Sequence, residues 1–482
     1  MKILILNPGS KFTKNIIRDV LWGGWCKGNM IGGATVPPTP MLLMATMLDK
    51  LPGIEVEFID AIAETLELEK FKEKIKHFDI VVMSSNQVTF QEDADLVRSF
   101  KKINPGLKAM IYGPEATFFA ENALSDDTID FIFIKEPEEA LIELVAALRD
   151  GKAVDKINGI GYRQNGKIVF TEVRGHAENM DEWPFIDLKF MPKDANYFNP
   201  LVRRYPYMTM ETARGCPYRC TFCTSPAFYG RKFRAKSPDV VVAEMEYYVK
   251  NGIKEIFFRD DTFTFNKQRT IEICEKIIEK KLDVTWICNA RTDRIDEEMM
   301  DIMKKAGCHT IKFGVESGNQ KLLDNVKKDI TLEETERVFK YANKLNFWTH
   351  AHMMLGLPGE TKDTIKRTFR FISKIKPTTV TYSVFVPYKG TAIYNDIMNS
   401  ESSALLNKDL NMSTLYGQAT VNELFTEVKN KDLEKYVRLG YIKFYVNPNN
   451  LLRILTRSGN LGHIFRNIKA GYNVVKYMVN GE

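Results

Sequence analysis

The chain has 482 residues, 44% of them hydrophobic and 27% charged, a globular composition too long for one core, so two or three domains are expected. A net charge of +6 over this length is no argument for a nucleic-acid partner, and no run approaches the roughly 18 apolar residues that cross a bilayer. Seven thinly spread cysteines argue against a secreted disulfide framework, and "MKILILNPGS" reads as a first strand rather than a signal peptide, so a reducing cytoplasmic compartment is expected.

Over residues 1–150 the apolar runs "KILILN", "VEFIDA", "IVVMSS", "KAMIYG" and "FIFIKE" alternate with helical spacings, the rhythm of βαβ units in an open, doubly wound parallel sheet. Ligands of such sheets lie beyond the strands' carboxyl ends, which points to residues 7–10, 84–87 and 113–117, with Ser84, Ser85 and Gly113 as candidate contacts. Residues 151–205 break the rhythm with a hairpin turning at Asn165 and Gly166 and a Pro-containing connector, read as a linker. From about 206 to 395 the alternation resumes through "YMTMETA", "EIFFRDD", "TWICNAR", "TIKFGVES", "WTHAHMML" and "TTVTYSVFVP", a pattern expected of a partial (β/α)6 TIM-like barrel with its site at the strand carboxyl ends. Residues 396–482 read as a helical, basic C-terminal region, in which Lys443, Arg453, Arg457, Arg466, Lys469 and Lys476 face only Glu482 from Ile442 onward.

"TARGCPYRCTFCTSP" places Cys216, Cys220 and Cys223 at C-x3-C-x2-C spacing just after the first barrel strand. Soft sulfur ligands this close suit a metal or an iron-sulfur cluster. A closed zinc site needs a fourth ligand, which the loop itself does not contain; three protein ligands leave a position open for a substrate or cofactor. Three unrelated buried thiols are the plain alternative. Cys274, Cys288 and Cys308 stand singly in apolar patterns and read as core residues. His350, His352 and Met354 share one strand face and either touch a substrate or are satisfied in the core.

The cysteine motif, with the aromatic Phe222 just before its last cysteine, resembles that of the radical S-adenosylmethionine (SAM) enzymes. The resemblance implies that Cys216, Cys220 and Cys223 hold a [4Fe-4S] cluster whose fourth iron is chelated by SAM, and that an external one-electron donor such as flavodoxin or ferredoxin reduces it. It also implies roles for the neighbouring strand ends. Asp260 and Asp261 in "FFRDDTFTFN" would meet the SAM ammonium, although a cap or turn, with Thr264 or Asn266 as cap, explains them equally. Glu316 and Ser317 in "GVESG" would accept ribose hydroxyls, Gly356 and Gly359 in "GLPGE" would let backbone approach the adenine, and Arg291 in "CNARTD" would pair with the SAM carboxylate.

The pairing of this barrel with an N-terminal α/β sheet resembles the cobalamin (B12)-binding radical SAM class, and "GGATVPPTPMLLMATML", "FFRDDTFTFNKQR" and "GLPGE" resemble its branch of anaerobic magnesium-protoporphyrin ester cyclases and hopanoid-processing enzymes. Cobalamin is therefore expected, with a radical enzyme that methylates, cyclises or joins carbon on a small-molecule, lipid-like or tetrapyrrole-like substrate. One departure stands: where base-off cobalamin domains carry D-x-H-x-x-G, this chain reads "NPGSKFTK", and the first domain's only histidine there is His77. A methylthiotransferase would add three cysteines in that domain, where only Cys26 occurs, and a cluster-holding or cobalamin-holding sensor is the non-enzymatic alternative. The basic C-terminal stretch, rich in Leu, Ile and Phe, would suit peripheral contact with an anionic membrane as well as packing on the barrel.

Overall fold

The computed structural model describes residues 1–10, 18, 33–66, 71–400 and 423–480. Cys26 and the latter half of "NPGSKFTK" lie outside them. The chain divides into two units, Met1–Phe198 with Ala227–Gly230 and Asn199–Pro226 with Arg231–Glu482.

In the first unit, strands β1 (Lys2–Asn7), β2 (Glu55–Asp60), β3 (Ile80–Ser84), β4 (Lys108–Tyr112) and β5 (Phe131–Phe133) run parallel. Their order, β2-β1-β3-β4-β5, reverses direction between β1 and β3. Central strands of such a sheet are covered on both faces, which is why Ile3 to Leu6 and Ile80 to Met83 are apolar without alternation and fully buried. Helix Thr39–Asp49 opens with a proline in its first turn, where the missing N–H has no partner to lose. The hairpin expected as a linker instead extends this sheet: β6 (Ile160–Gln164) pairs antiparallel with β5, and β7 (Lys167–Phe170) with β6. Asn165 and Gly166 turn it with φ of 50° and 75°, the left-handed pair a two-residue hairpin needs.

In the second unit, β8 (Tyr207–Met210), β11 (Glu255–Phe258), β12 (Thr285–Ala290), β13 (Cys308–Glu316), β14 (Trp348–Leu355) and β15 (Thr379–Val384) form a parallel sheet in sequential order. A short ribbon of β9 (Ala213–Arg214) with β10 (Arg234–Ala235) brackets the cysteine loop. The crossover helices start where the sequence supplies caps: Ser237, Asn266, Asp296, Thr331 and Thr361 each accept a backbone N–H of the first turn, and Thr331 forms a reciprocal capping box with Glu334. Helix Leu332–Lys344 shows why the elements pack: Thr335, Val338, Phe339 and Ala342, at helical spacing, are its buried face.

The C-terminal region is helical over Asn430–Tyr445, Pro448–Arg457 and Leu461–Asn480. Its first helix covers the open edge of the sheet. The Tyr445 hydroxyl donates to the Val380 carbonyl and accepts its N–H, at 3.0 and 3.2 Å, and the Tyr441 hydroxyl accepts the Tyr382 N–H at 3.2 Å. Edge groups of β15 are thus satisfied without another strand. Half of the expected basic face turns inward: Arg453 donates to Pro377 O, Arg457 to Phe347 O, and Arg466 to Val202 O and Arg203 O. Among the described residues, no helix is long and apolar enough to cross a membrane.

Candidate functional site

The cysteine loop leaves the carboxyl edge of β8 through Gly215, whose φ of 85° favours glycine. Cys220 O accepts the Cys223 N–H at 3.2 Å, and Thr221 N–H donates to Val326 O at 3.0 Å, which ties the loop to the segment after β13. All three thiols are free and half-buried. Burial, followed by Asp261, pushes the Cys216 thiol up to about 11 and Cys223 well above its ordinary value. Thiols so placed keep their protons until a cation displaces them, which fits a metal-sulfur group. Among the described residues, no three His, Cys, Asp or Glu are gathered closely enough to hold a single metal ion. The sulfurs are nonetheless near enough to feel one another's charge, and a cluster of several irons spaces its thiolates more widely than one ion does.

Two cations stand beside Cys220. Arg291 Nη1 lies 3.7 Å from its sulfur, with the guanidinium 3.6 Å above the Tyr218 ring and its other nitrogens donating to Asp293 Oδ1 and Lys328 O. Lys328, which sequence reasoning missed, pairs with Glu316 at 2.8 Å. Burial works against the Lys328 ammonium, yet Glu316 and Cys220 hold its pKa above the ordinary value. Arg291, expected to pair with a SAM carboxylate, thus stands at the thiol loop. Glu316 sits at a bulge of β13 with φ of 63°, a strained conformation for a non-glycine residue of the kind that gathers at functional sites. Gly314 makes room for the pair, since a Cβ there would meet Glu316 Oε1 at 2.5 Å and Lys328 Nζ at 2.8 Å.

The two expected aspartates separate. Asp260 is fully buried and takes Thr212 N–H, Thr212 Oγ1 and Ala213 N–H on its oxygens, so it fixes the start of the cysteine loop. Asp261 accepts from the Ser225 hydroxyl, and burial raises its pKa to about 7, so a cation brought to it would complete its ionisation. Asn266, as foreseen, is the helix cap. Ser317 is also occupied, accepting Asn319 N–H and lying 3.3 Å from Thr368 Oγ1. In "GLPGE", Glu360 accepts the N–H groups of Gly356 and Leu357, and Gly359 N–H donates to Phe425 O. Glu360 is a group the sequence reading passed over. Phe222 packs against the cluster containing Leu357 and Phe385.

Of the strand histidines, His350 has both ring nitrogens bonded, to Thr379 and Thr381, which is the satisfied core case. His352 uses Nδ1 on Thr381 at 3.0 Å. Burial, with Lys312 adding, lowers His350 to about 3 and keeps its imidazole neutral. Cys274, Cys288 and Cys308 are core residues as expected.

In the first unit, the carboxyl ends of β1 and β3 form the switch-point shelf. Ser84 Oγ donates to Arg18 O and Ser85 Oγ to Asp93 Oδ2, so both expected contacts are committed to the fold. Arg18, another residue sequence reasoning missed, makes a buried ion pair with Asp93 at 2.6 Å. Asn86 is fully buried; its Oδ1 accepts the N–H of Val88 and Thr89, while its Nδ2 has no partner among the described residues. Gly113, with φ of 101°, packs so that a Cβ would meet Ser85 O at 2.9 Å and Ser84 Oγ at 3.0 Å. An orphaned buried donor beside close-packed backbone fits a polar ligand on this shelf. His77 ends a 3-10 turn at the opposite, amino edge of β3 and is exposed, so it does not serve the shelf.

Comparisons with known proteins match this geometry. Residues 210–372 match the model of the radical SAM superfamily, and residues 32–145 that of the B12-binding domain. The chain is 30% identical over 94% of its length to an uncharacterized methyltransferase of Pyrococcus horikoshii, covering 94% of that protein. It is 27% identical to the anaerobic magnesium-protoporphyrin IX monomethyl ester cyclase of Rubrivivax gelatinosus, covering 76% of this chain and 68% of that one. Among solved structures, the radical SAM methyltransferase TsrM from Kitasatospora setae, with cobalamin and a [4Fe-4S] cluster bound, superposes with a TM-score of 0.68 at 17% identity, covering 84% of this chain and 78% of that one.

Proposed function

From a chain that belongs to the radical SAM superfamily with a B12-binding domain, and is thus an enzyme using a [4Fe-4S] cluster, SAM and cobalamin, we infer a C-methyltransferase acting on an unactivated carbon of a small-molecule substrate. The observation that carries this reading is the presence in one chain of the thiol loop and of a switch-point shelf with a buried amide at Asn86 that is unpartnered among the described residues. When bound, these groups supply one-electron cleavage of the SAM sulfonium and a carrier for a methyl group from a second SAM. Cys216, Cys220 and Cys223 hold the cluster, and Arg291 and Lys328 offset the thiolate charge at Cys220. Asp261 receives the SAM ammonium, Glu316 the ribose, and the backbone at Gly356 and Gly359 the adenine, while Phe222 and its apolar neighbours exclude water. Asp260 and Ser317 position these groups. Asn86, with the backbone at Ser84, Ser85 and Gly113, faces the nucleotide tail of cobalamin.

The test is anaerobic reconstitution followed by metal and product analysis. About four irons and one cobalt per chain are expected, with iron lost in Cys220→Ala. Methyl transfer yields S-adenosylhomocysteine together with 5′-deoxyadenosine; deoxyadenosine alone would overturn methylation in favour of cyclisation. We place the protein in the cytoplasm, with a flavodoxin-like or ferredoxin-like donor. Peripheral membrane contact, and with it a lipid-like or tetrapyrrole-like substrate, is favoured by one observation. Leu461, Phe465, Ile468, Tyr472 and Val475 form an exposed row on helix Leu461–Asn480. Liposome binding unchanged by removal of residues 441–482 would refute it.

A further inference from the structure

The parallel sheet of the second unit has a carboxyl edge that carries the thiol loop and an amino edge to which nothing above gives a role. At the amino edge lies a cavity of about 590 Å³, within the range of small-molecule sites. Segments remote in sequence build it: Arg203 ahead of β8, Lys304 at the end of helix Glu297–Lys305, Asn346 ahead of β14, and Arg453 and Arg457 on helix Pro448–Arg457. Four lining residues are cations and none is an acid. Glu255, a carboxylate that Arg203 feels, is committed to His309 and to the backbone N–H groups of Arg203 and Arg204.

Only part of this donor set serves the fold. Arg457 Nη1 donates to Asn343 Oδ1, Phe347 O and Thr378 Oγ1, Arg453 Nη1 to Pro377 O and Asn450 Oδ1, and Arg203 Nη2 to Arg457 O. Among the described residues, no acceptor reaches the other nitrogens of these guanidinium groups, and Arg203 Nε is buried without one. Gly459 leaves space for the Arg203 stem, since a Cβ there would meet its Cδ at 2.7 Å. Burial lowers the pKa of all four cations, and mutual repulsion adds to this at Lys304, from Arg203 and Arg457, and at Arg457, from Arg453. Cations held together against their own repulsion, with donors to spare, match the oxygens of a phosphate group.

We propose that this cavity binds a phosphate-type polyanion, at a site separate from the thiol loop and independent of the reaction carried out there. Two sources offer that chemistry. One is a free polyphosphate; the other is the headgroup of an anionic lipid, to which the exposed Leu451, Leu452 and Leu455 on the same helix would lend apolar contact. The experiment uses the full chain and the double substitution Lys304→Gln with Arg453→Gln. Pyrophosphate binding is measured by calorimetry, and vesicle binding by co-sedimentation with phosphatidylglycerol or phosphatidylcholine. Loss of two charge-assisted contacts is expected to weaken binding by at least about tenfold. Weakened pyrophosphate binding assigns a free ligand, and weakened binding to phosphatidylglycerol vesicles alone assigns the lipid. Native protein that binds neither, or a variant that binds as the native does, overturns the proposal. Should the double variant unfold, Lys304→Gln alone decides, because its ammonium makes one hydrogen bond, to Asn346 O.

Discussion

The Glu316–Lys328 pair offers a sharp perturbation. Its charges lie 2.8 Å apart with side-chain exposures of 10% and 8%. At an effective dielectric of ~20 their attraction is about 6 kcal/mol before desolvation is subtracted. Lys328→Met leaves the Glu316 carboxylate buried without its cation, and breaking such a pair from one side costs roughly 3–5 kcal/mol. Adding Glu316→Gln removes the orphaned charge, so the double variant is expected within ~2 kcal/mol of the native protein. The assay is anaerobic urea unfolding of the native chain, both single variants and the double variant, with iron content after reconstitution as a second readout. Single-variant losses that simply add in the double variant would refute the reasoning, because no coupling would then exist between the two groups.

Asp60 is buried at the end of β2 with Asn7 Nδ2 and Tyr197 Oη donating to it, and burial raises its pKa to about 6. Because the folded protein holds this proton more tightly than the unfolded chain, its contribution is most favourable below pH ~4; about 3 kcal/mol is lost as pH rises through ~6, levelling off above pH ~7. Asp60→Asn is expected to remove that part of the pH dependence, checked by unfolding the native and variant chains at several pH values across the window. Gly113→Ala is expected to cost roughly 1–3 kcal/mol and to lower bound cobalt while sparing iron, measured by elemental analysis. Burial holds Glu360 near pKa 7. Glu360→Gln should therefore change stability by less than ~1 kcal/mol at pH 6, whereas Glu360→Ala, which strands the N–H groups of Gly356 and Leu357, should cost ~2–4 kcal/mol in thermal or urea unfolding.

Much of the fold was legible because its signals are local. Apolar runs at strand spacing located all eleven principal parallel strands of the two sheets, and caps such as Asn266 and Thr331 mark helix starts by chemistry within one turn. The hairpin at Asn165 was recognised as a hairpin but misread as a linker. Its turn is local, whereas its pairing with β5 depends on which edge of the sheet stands open. For the C-terminal arginines the sequence offered both membrane contact and packing on the barrel, and the structure gives the second to Arg453, Arg457 and Arg466. Composition marks the segment as basic but does not say that Arg453, Arg457 and Arg466 point toward backbone carbonyls of the sheet's amino edge.

By itself the sequence determined the alternation of strands and helices and the grouping of three soft ligands on one loop, because both are set by covalent spacing along the chain. Only the tertiary structure decided which charges meet that loop. Arg291 and Lys328 reach Cys220 because β8 through β13 lie in parallel order with their carboxyl ends together. The same packing committed Asp260 to the backbone of Thr212 and Ala213 and set Asp261 against the Ser225 hydroxyl. Which polar groups spend their hydrogen bonds on the fold, and which keep them for something else, is settled only when the strands come side by side.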